Sequence, residues 1–138
     1  MKIDYKDTLE NVCWESVSNI IELVGWGERS PTDVRFSFET GSYVMFAYHH
    51  NKMVGFGRTV DDGKYHGLVV DLIVHPDYQG NGIGSYILNY LKDSLESYSF
   101  TILTSEVGKE AFYEKQGWQK QTRSFIWSRS DKQRKLYT

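Results

Sequence analysis

One stretch of the chain, residues 68–95, restricts the possible folds more than any other. It joins two apolar segments through a proline-containing break and a glycine-rich turn at residues 79–84. The first segment, residues 68–74, is almost continuously apolar and rich in β-branched side chains, which is typical of a strand covered on both faces. In the second segment, apolar side chains recur on one helical face at Ile87, Leu88, Leu91 and Leu95. The stretch therefore predicts a strand, a glycine-rich loop and a helix, in that order.

The glycine-rich loop is a candidate phosphate site. Its backbone N–H groups would lie at the positive end of the helix dipole, where phosphates are common ligands. Two familiar phosphate loops do not fit the spacing of Gly80, Gly82 and Gly84. A P-loop needs a Lys directly after its last glycine, and a dinucleotide fingerprint needs the spacing G-x-G-x-x-G. The pattern that does fit is Q/R-x-x-G-x-G/A, placed after a strand that ends in V-x-P.

Two motifs carry a resemblance to a known family. Residues 79–84, QGNGIG, match the third loop pattern, and Val74-His75-Pro76 precedes them. On these residues the chain resembles the GCN5-related N-acetyltransferase (GNAT) superfamily, which binds the pyrophosphate of acetyl-CoA on this loop. Residues 110–118, EAFYEKQGW, resemble a second signature of the same superfamily, in which paired aromatic residues precede a glycine and another aromatic. The two motifs occur in the family's order.

The resemblance implies an α/β (mixed α+β) architecture, the GNAT fold. Its central mixed sheet would have roughly six to seven strands flanked by about four helices. The sheet would be splayed between the fourth and fifth strands, and the gap would admit the pantetheine arm of acetyl-CoA. Residues 1–138 would form a single N-acetyltransferase domain, a size that buries enough surface to fold without disulfides.

Local patterns place the other elements. Asp7 and Glu10 resemble a capping box for a helix that would bury Cys13 on its apolar stripe. Ser30 followed by Pro31 predicts the start of a second helix. The remaining elements are a helix over 8–24, strands at 2–6, 43–48, 53–60, 68–74 and 100–104, a helix at 107–116, and final strands at 118–121 and 124–128.

The resemblance also implies which residues hold the cosubstrate. The backbone of the central strand would bind the pantetheine arm, and the loop amides would bind the pyrophosphate. Glycines matter in that loop because a Cβ would block the phosphate or force an unfavourable φ. The implied cofactor-binding residues are Leu72, Ile73, Val74, Gln79, Gly80, Asn81, Gly82, Ile83, Gly84, Ser85, Phe112 and Tyr113. Gly108 stands where many members carry an Asn that contacts the cofactor, which puts this one contact in doubt.

The implied reaction is direct attack of an amine on acetyl-CoA. Tyr113 occupies the position of the family's general acid, which protonates the leaving thiolate. The general base stays open, because Leu68 and Val70 occupy the matching positions on the central strand and neither accepts a proton. Asp71 is a catalytic candidate, although strand alternation places it on the opposite face, where a structural role is equally open. The other candidates for the base are Glu39, His66 and a chain of water molecules.

A small primary amine is the expected acceptor, in a pocket for which we predict Trp26, Arg29, Phe46 and Tyr48. The alternatives are a protein N-terminus or lysine, an aminoacyl-tRNA held by the basic tail, and an acyl-CoA sensor without turnover. The tail, residues 129–135, carries four of the basic residues, and a solvated frayed end competes there with contact to an anionic partner. A homodimer is suggested by family analogy alone.

Composition limits the compartment, the ligands and the partners that this protein can have. The chain has one Cys, so it forms no internal disulfide, and a reducing compartment, the cytoplasm, is expected. No run of 18 apolar residues occurs, so a membrane span is not expected. A net charge of −2 draws the protein to neither nucleic acid nor anionic lipid. The adjacent His49 and His50 lack a third ligand nearby, so no metal is expected.

Overall fold

The computed structural model describes all 138 residues, which divide into two compact units, Met1–Leu103 and Thr104–Thr138. The first unit contains a sheet and three helices, and the second contains two short helices. In chain order the elements are β1 (Asp4–Lys6), α1 (Trp14–Leu23), α2 (Pro31–Thr40), β2 (Val44–His49), β3 (Lys52–Asp61), β4 (His66–Val74), α3 (Ile83–Ser94), β5 (Phe100–Leu103), α4 (Glu110–Lys115) and α5 (Asp131–Tyr137). None of these helices is long and apolar enough to cross a membrane.

The sheet is mixed, as expected, with its strands in the order β1-β2-β3-β4-β5. The first four strands pair antiparallel, and β5 pairs parallel to β4 after the crossover through α3. The strand count is five, slightly below the six to seven that the sequence predicted. The strands β2, β3 and β4 thus form an antiparallel meander, and β5 joins its β4 edge.

One face of the sheet packs against α1 and α2 through aromatic side chains. Phe38 of α2 stacks on Phe46 of β2 and meets Phe56 of β3 edge-on, at ring-centroid distances of 5.6 and 5.9 Å. Trp14 closes this cluster with edge contacts to Phe38 and Phe46. Because all three Phe rings are fully buried, they anchor the first core of the unit.

The opposite face of the sheet packs against α3 across a row of glycines. A Cβ on Gly57 would lie 2.9 Å from Ile87 Cγ2, and a Cβ on Gly67 would lie 2.9 Å from a Leu95 methyl. These strand positions therefore stay free of side chains so that α3 can lie close to β3 and β4. The close approach fixes the axis of α3 over the central strand, and with it the position of the loop that enters the helix.

The beginning of the first helix differs from the prediction. The helix α1 starts at Trp14, and Cys13 is its N-cap, without a side-chain hydrogen bond. The capping box of Asp7 and Glu10 is therefore wrong, and Cys13 is exposed rather than buried. The start of α2 is confirmed, since the Ser30 hydroxyl accepts a hydrogen bond from the Asp33 N–H at 3.1 Å.

The C-terminal unit departs most from the prediction. Neither 118–121 nor 124–128 is a strand, and this unit contains no other strand that could pair with them. Phe125 and Trp127 are 96% and 83% exposed, so their alternation does not mark a buried face. The tail ends in α5, whose N-cap Ser130 accepts from the Gln133 N–H at 3.0 Å. The tail therefore contains a short helix, which the sequence analysis did not predict.

Candidate functional site

The central strand β4 is paired along its whole length on one edge only. Its pairing with β3 extends to Val74, whereas its pairing with β5 ends at Val69, opposite Leu103. Residues 70–74 therefore have no neighbouring strand on the β5 side of the sheet. An unpaired strand edge presents N–H and C=O groups to which an extended ligand can hydrogen-bond. This open edge lies directly before the glycine-rich loop.

The loop between β4 and α3 is braced by its own side chains. The Gln79 amide nitrogen donates to the Val74 carbonyl at 3.1 Å, and the Asn81 amide nitrogen donates to the Tyr78 carbonyl at 3.0 Å. Gly80 and Gly82 have φ values of +82° and +78°, a region that residues with a Cβ adopt only under strain. The loop is therefore shaped by two left-handed glycines and two amide side chains.

The helix α3 begins in a manner suited to an anion. Its N-cap is Gly82, which supplies no side-chain acceptor, and its first turn contains no acidic residue. The first N–H groups of a helix have no intrahelical partner, so those of Ile83 and Gly84 are available to an external acceptor. Gly84 and Ser85 belong to this first turn, so the N–H groups of the loop and of the helix start lie close together.

Asp71 lies at a bulge of β4 within this open edge. Phe56 pairs with Ile73 and Arg58 pairs with Val70, so Asp71 and Leu72 together face a single residue of β3. One carboxylate oxygen of Asp71 accepts from Arg58 Nε at 2.8 Å, and the other accepts from an Arg29 guanidinium nitrogen at 3.2 Å. Both oxygens of this buried carboxylate are thus bonded to guanidinium groups, so it is poorly placed to act as a base.

We expect an Asp71→Ala variant to lose about 3 kcal/mol of unfolding free energy, because removing one partner of a buried ion pair leaves the other without compensation. Urea unfolding measures the loss. The matched control is Glu39→Ala, which breaks the exposed Arg35–Glu39 pair and should cost below about 0.5 kcal/mol. Equal losses in the two variants would show that the Asp71 pairs contribute no more than a surface contact.

The four residues predicted for the acceptor pocket have different environments. Trp26 and Tyr48 are half-buried against the first core, and burial raises the pKa of Tyr48. Arg29 keeps 39% of its side chain exposed although it bonds Asp71. Phe46 has no exposed surface, so it belongs to the core and is not available to a bound amine. The pocket prediction is corrected at this residue.

The second motif forms the helix α4 of the C-terminal unit, shorter than the predicted span of 107–116. Tyr113 is half-buried, and burial, followed by the negative charge of Glu106, raises its pKa. Its ring meets that of Phe112 edge-on at 5.0 Å. Gly108 has a φ of +86° and donates its N–H to a Glu110 carboxylate oxygen, so this position serves a turn before the helix.

The His pair at the β2–β3 turn does not resemble a metal site. His49 Nδ1 and the Tyr78 hydroxyl share a hydrogen bond at 3.1 Å, and the His50 ring lies 4.2 Å from the His49 ring. Desolvation, followed by the positive charges nearby, lowers the pKa of His49, which keeps it neutral. The pair therefore links the β2–β3 turn to Tyr78, just before the glycine-rich loop.

Arg58 is the site residue that the sequence interpretation missed. It lies in an apolar strand, MVGFGRTV, where a charged side chain needs a buried partner. The only acidic residue inside the neighbouring central strand is Asp71, so the two could have been paired from the sequence. Arg29, 42 residues away from Asp71, carried no such signal.

Comparison with known proteins identifies the class. The family model described as an acetyltransferase (GNAT) domain matches residues 40–120. This match covers more than half of the chain, and the chain therefore belongs to the GNAT acetyltransferase family. Family membership makes it an N-acetyltransferase, and members of the family use acetyl-CoA.

Individual relatives agree with this assignment. The uncharacterised N-acetyltransferase ycf52 of Pyropia yezoensis is 26% identical over 126 residues, which cover 84% of this chain and 72% of that protein. The solved structure of the GNAT family acetyltransferase SP0256 from Streptococcus pneumoniae TIGR4 is 26% identical and superposes with a TM-score of 0.77, covering 94% of this chain and 100% of that one. The probable acetyltransferase SA2161 from meticillin-resistant Staphylococcus aureus shares the fold at 18% identity, with a TM-score of 0.78 over 92% of this chain and 100% of that one.

Proposed function

We propose that this chain binds acetyl-CoA along β4 and the glycine-rich loop and transfers the acetyl group to the primary amine of a small molecule by direct attack. The observation that carries the proposal is the order of three structural features, namely the open edge of β4, the glycine-rich loop and the start of α3. An open edge at residues 70–74 leads, through a 3₁₀ turn at Pro76–Tyr78, into left-handed glycines and an uncapped helix start. The open edge suits an extended pantetheine arm, and the glycines with the helix start suit a pyrophosphate.

In this proposal the protein contributes positioning and hydrogen bonds rather than covalent chemistry. Acetyl-CoA supplies the activated acetyl group as a thioester. Backbone groups of Leu72, Ile73 and Val74 orient the pantetheine arm, and an N–H of this segment stabilises the negative charge that develops on the carbonyl oxygen. Tyr113, assigned from the second motif, donates a proton to the thiolate as it leaves.

The base in this reaction is water. Asp71 bonds two arginines, and His66 lies at the far end of β4, about 20 Å along the strand from Leu72 at 3.3 Å per residue. Glu39 is exposed and pairs with Arg35. The acceptor therefore enters as a free amine or loses its proton to solvent, which favours activity at alkaline pH.

A small acceptor is favoured by the side chains of the α1–α2 loop and the neighbouring β2. Trp26 and Tyr48 are half-buried aromatic surfaces, and Arg29, three residues after Trp26 in the chain, is a partly exposed cation. Such a mixture of aromatic and charged groups is typical of small-ligand sites. A protein N-terminus, a lysine or an aminoacyl-tRNA are the competing acceptors. With a single exposed Cys13, we place the enzyme in a reducing compartment such as the cytoplasm.

Thermal unfolding with acetyl-CoA, CoA, ATP and NADH in parallel tests the proposal. A ligand at 100 times its Kd adds about 2.7 kcal/mol to the unfolding free energy, which raises the melting temperature by several degrees. We expect acetyl-CoA and CoA to raise it and ATP and NADH to leave it unchanged. A shift with ATP or NADH, or no shift with any ligand, would show that the glycine-rich loop is not an acetyl-CoA site. Either result would contradict the proposal. After a positive result, a panel of small amines is screened for CoA release.

A further inference from the structure

We propose that Asp71 is a positioning residue for this reaction. Its carboxylate, held between Arg58 and Arg29, fixes the left-handed backbone at the β4 bulge and so aims the open edge at residues 72–74 toward the thioester carbonyl. The inference rests on the proposed function and adds to it a residue that acts through the backbone. Through its bond to Arg29, Asp71 also connects the α1–α2 loop to the strand that would hold the cosubstrate.

The backbone at Asp71 is unusual for a strand residue. Its φ is +53°, and the other non-glycine residues with positive φ are Asn11, His50 and Asn51, all outside strand interiors. Asp tolerates the left-handed region better than most residues, but it seldom adopts it within a sheet. Such strained conformations persist only where the surroundings over-determine them. The surroundings here are the two arginines.

The two arginines hold the carboxylate with unequal rigidity. Arg58 lies in β3, is mostly buried, donates a second hydrogen bond to the Ser37 carbonyl and covers the Phe38 ring at 5.5 Å. Arg29 follows a loop with left-handed glycines at Gly25 and Gly27 and is more exposed. Arg58 therefore anchors Asp71 to the sheet, whereas Arg29 ties it to a loop that has fewer constraints.

The bulge occupies the position where its geometry matters most. It begins two residues after Val69, the last residue of β4 that pairs with β5, and it includes Leu72, the first residue of the proposed cosubstrate edge. An inserted residue bends the strand and increases its local twist, which redirects the N–H groups that follow. If Asp71 relaxed to an extended conformation, residues 72–74 would turn relative to β3. A hydrogen bond to a thioester carbonyl loses strength steeply with misalignment.

The test measures polarisation of the carbonyl directly, without an acceptor. Acetyl-CoA labelled with ¹³C at the thioester carbonyl is bound to the protein, and isotope-edited infrared spectroscopy records the carbonyl stretch. In the parent chain the band should lie at lower frequency than in free acetyl-CoA, since a backbone N–H polarises the carbonyl. In Arg29→Met the band should return toward the free position, while calorimetry shows less than about a tenfold loss of acetyl-CoA affinity. Arg29→Lys, which keeps the charge, should retain part of the shift.

Control variants separate positioning from stability. Arg35→Met removes an exposed arginine of α2 that bonds only Glu39, and its carbonyl band should equal that of the parent chain. Arg29→Met keeps the Arg58–Asp71 pair, so we expect it to lose less unfolding free energy than Asp71→Ala. A band unchanged in Arg29→Met and in Asp71→Asn, with acetyl-CoA bound, would overturn the inference. A parent chain that fails to bind acetyl-CoA would overturn the proposed function instead, so the two failures are distinguishable.

Discussion

A Tyr113→Phe variant is expected to lose about 10²-fold in kcat while it binds acetyl-CoA nearly as tightly as the parent chain. The change removes one hydroxyl and keeps the ring, so its edge-to-face contact with Phe112 is retained. Burial, and after it the charge of Glu106, raises the pKa of Tyr113, so the phenol keeps its proton through the neutral range and can donate it. Thiol detection of released CoA gives kcat, and calorimetry gives the Kd of acetyl-CoA.

The pH dependence sharpens this experiment. An acid must be protonated to act, and a raised pKa moves the loss of its proton to higher pH, so the alkaline decline of kcat due to Tyr113 should occur at higher pH than for an ordinary tyrosine. That decline should be absent from Tyr113→Phe. Tyr137→Phe, an exposed tyrosine of the same unit, is the matched control and should behave as the parent chain. Unchanged turnover in Tyr113→Phe would assign the proton to another donor.

The elements that the sequence predicted well are those whose signals are local. The left-handed loop glycines, the Ser30 cap and the apolar face of α3 depend on residues within a few positions of one another. The strands at 118–121 and 124–128 failed because alternation describes which side chains share a face and not whether a partner strand exists. The Ser130–Gln133 capping box was visible in the sequence and would have predicted the C-terminal helix.

In the candidate site, too, the features set by neighbouring residues were predicted, and those set by distant residues were not. The loop motif could be found from its spacing, whereas the role of Asp71 depends on Arg29, 42 residues away, and on a bulge that adds one residue to β4. Burial alternates without a break through Val69, Asp71 and Ile73, but alternation gives no sign of the positive φ of Asp71. Phe46 was misassigned to the pocket because an aromatic residue in an apolar strand has the same pattern whether it lines a ligand or a core.

A substitution at Gly82 can weaken acetyl-CoA binding in two ways. A Cβ at Gly82 would meet no protein atom within 4 Å, so the space beside it is open on the side from which a phosphate would approach. The φ of +78° means that a β-branched residue there also carries backbone strain. A loss of binding in a Gly82 variant therefore has two possible origins, namely the obstructed space and the strained loop. A second glycine with nearly the same φ separates them.

Gly82→Val is expected to reduce acetyl-CoA affinity at least about 10²-fold, because the side chain occupies the space of the pyrophosphate and tilts the first N–H groups of α3 away from it. Gly63 is the matched control: its φ is +79°, a Cβ there also meets nothing within 4 Å, and it lies in the turn between β3 and β4. Gly63→Val should lose a similar amount of unfolding free energy and keep the parent affinity for acetyl-CoA in calorimetry. Because the two glycines have nearly equal φ values, the difference in affinity between the variants measures the contribution of the loop itself. Parent-like binding by Gly82→Val would place the pyrophosphate elsewhere, whereas equal losses in both variants would trace the effect to stability.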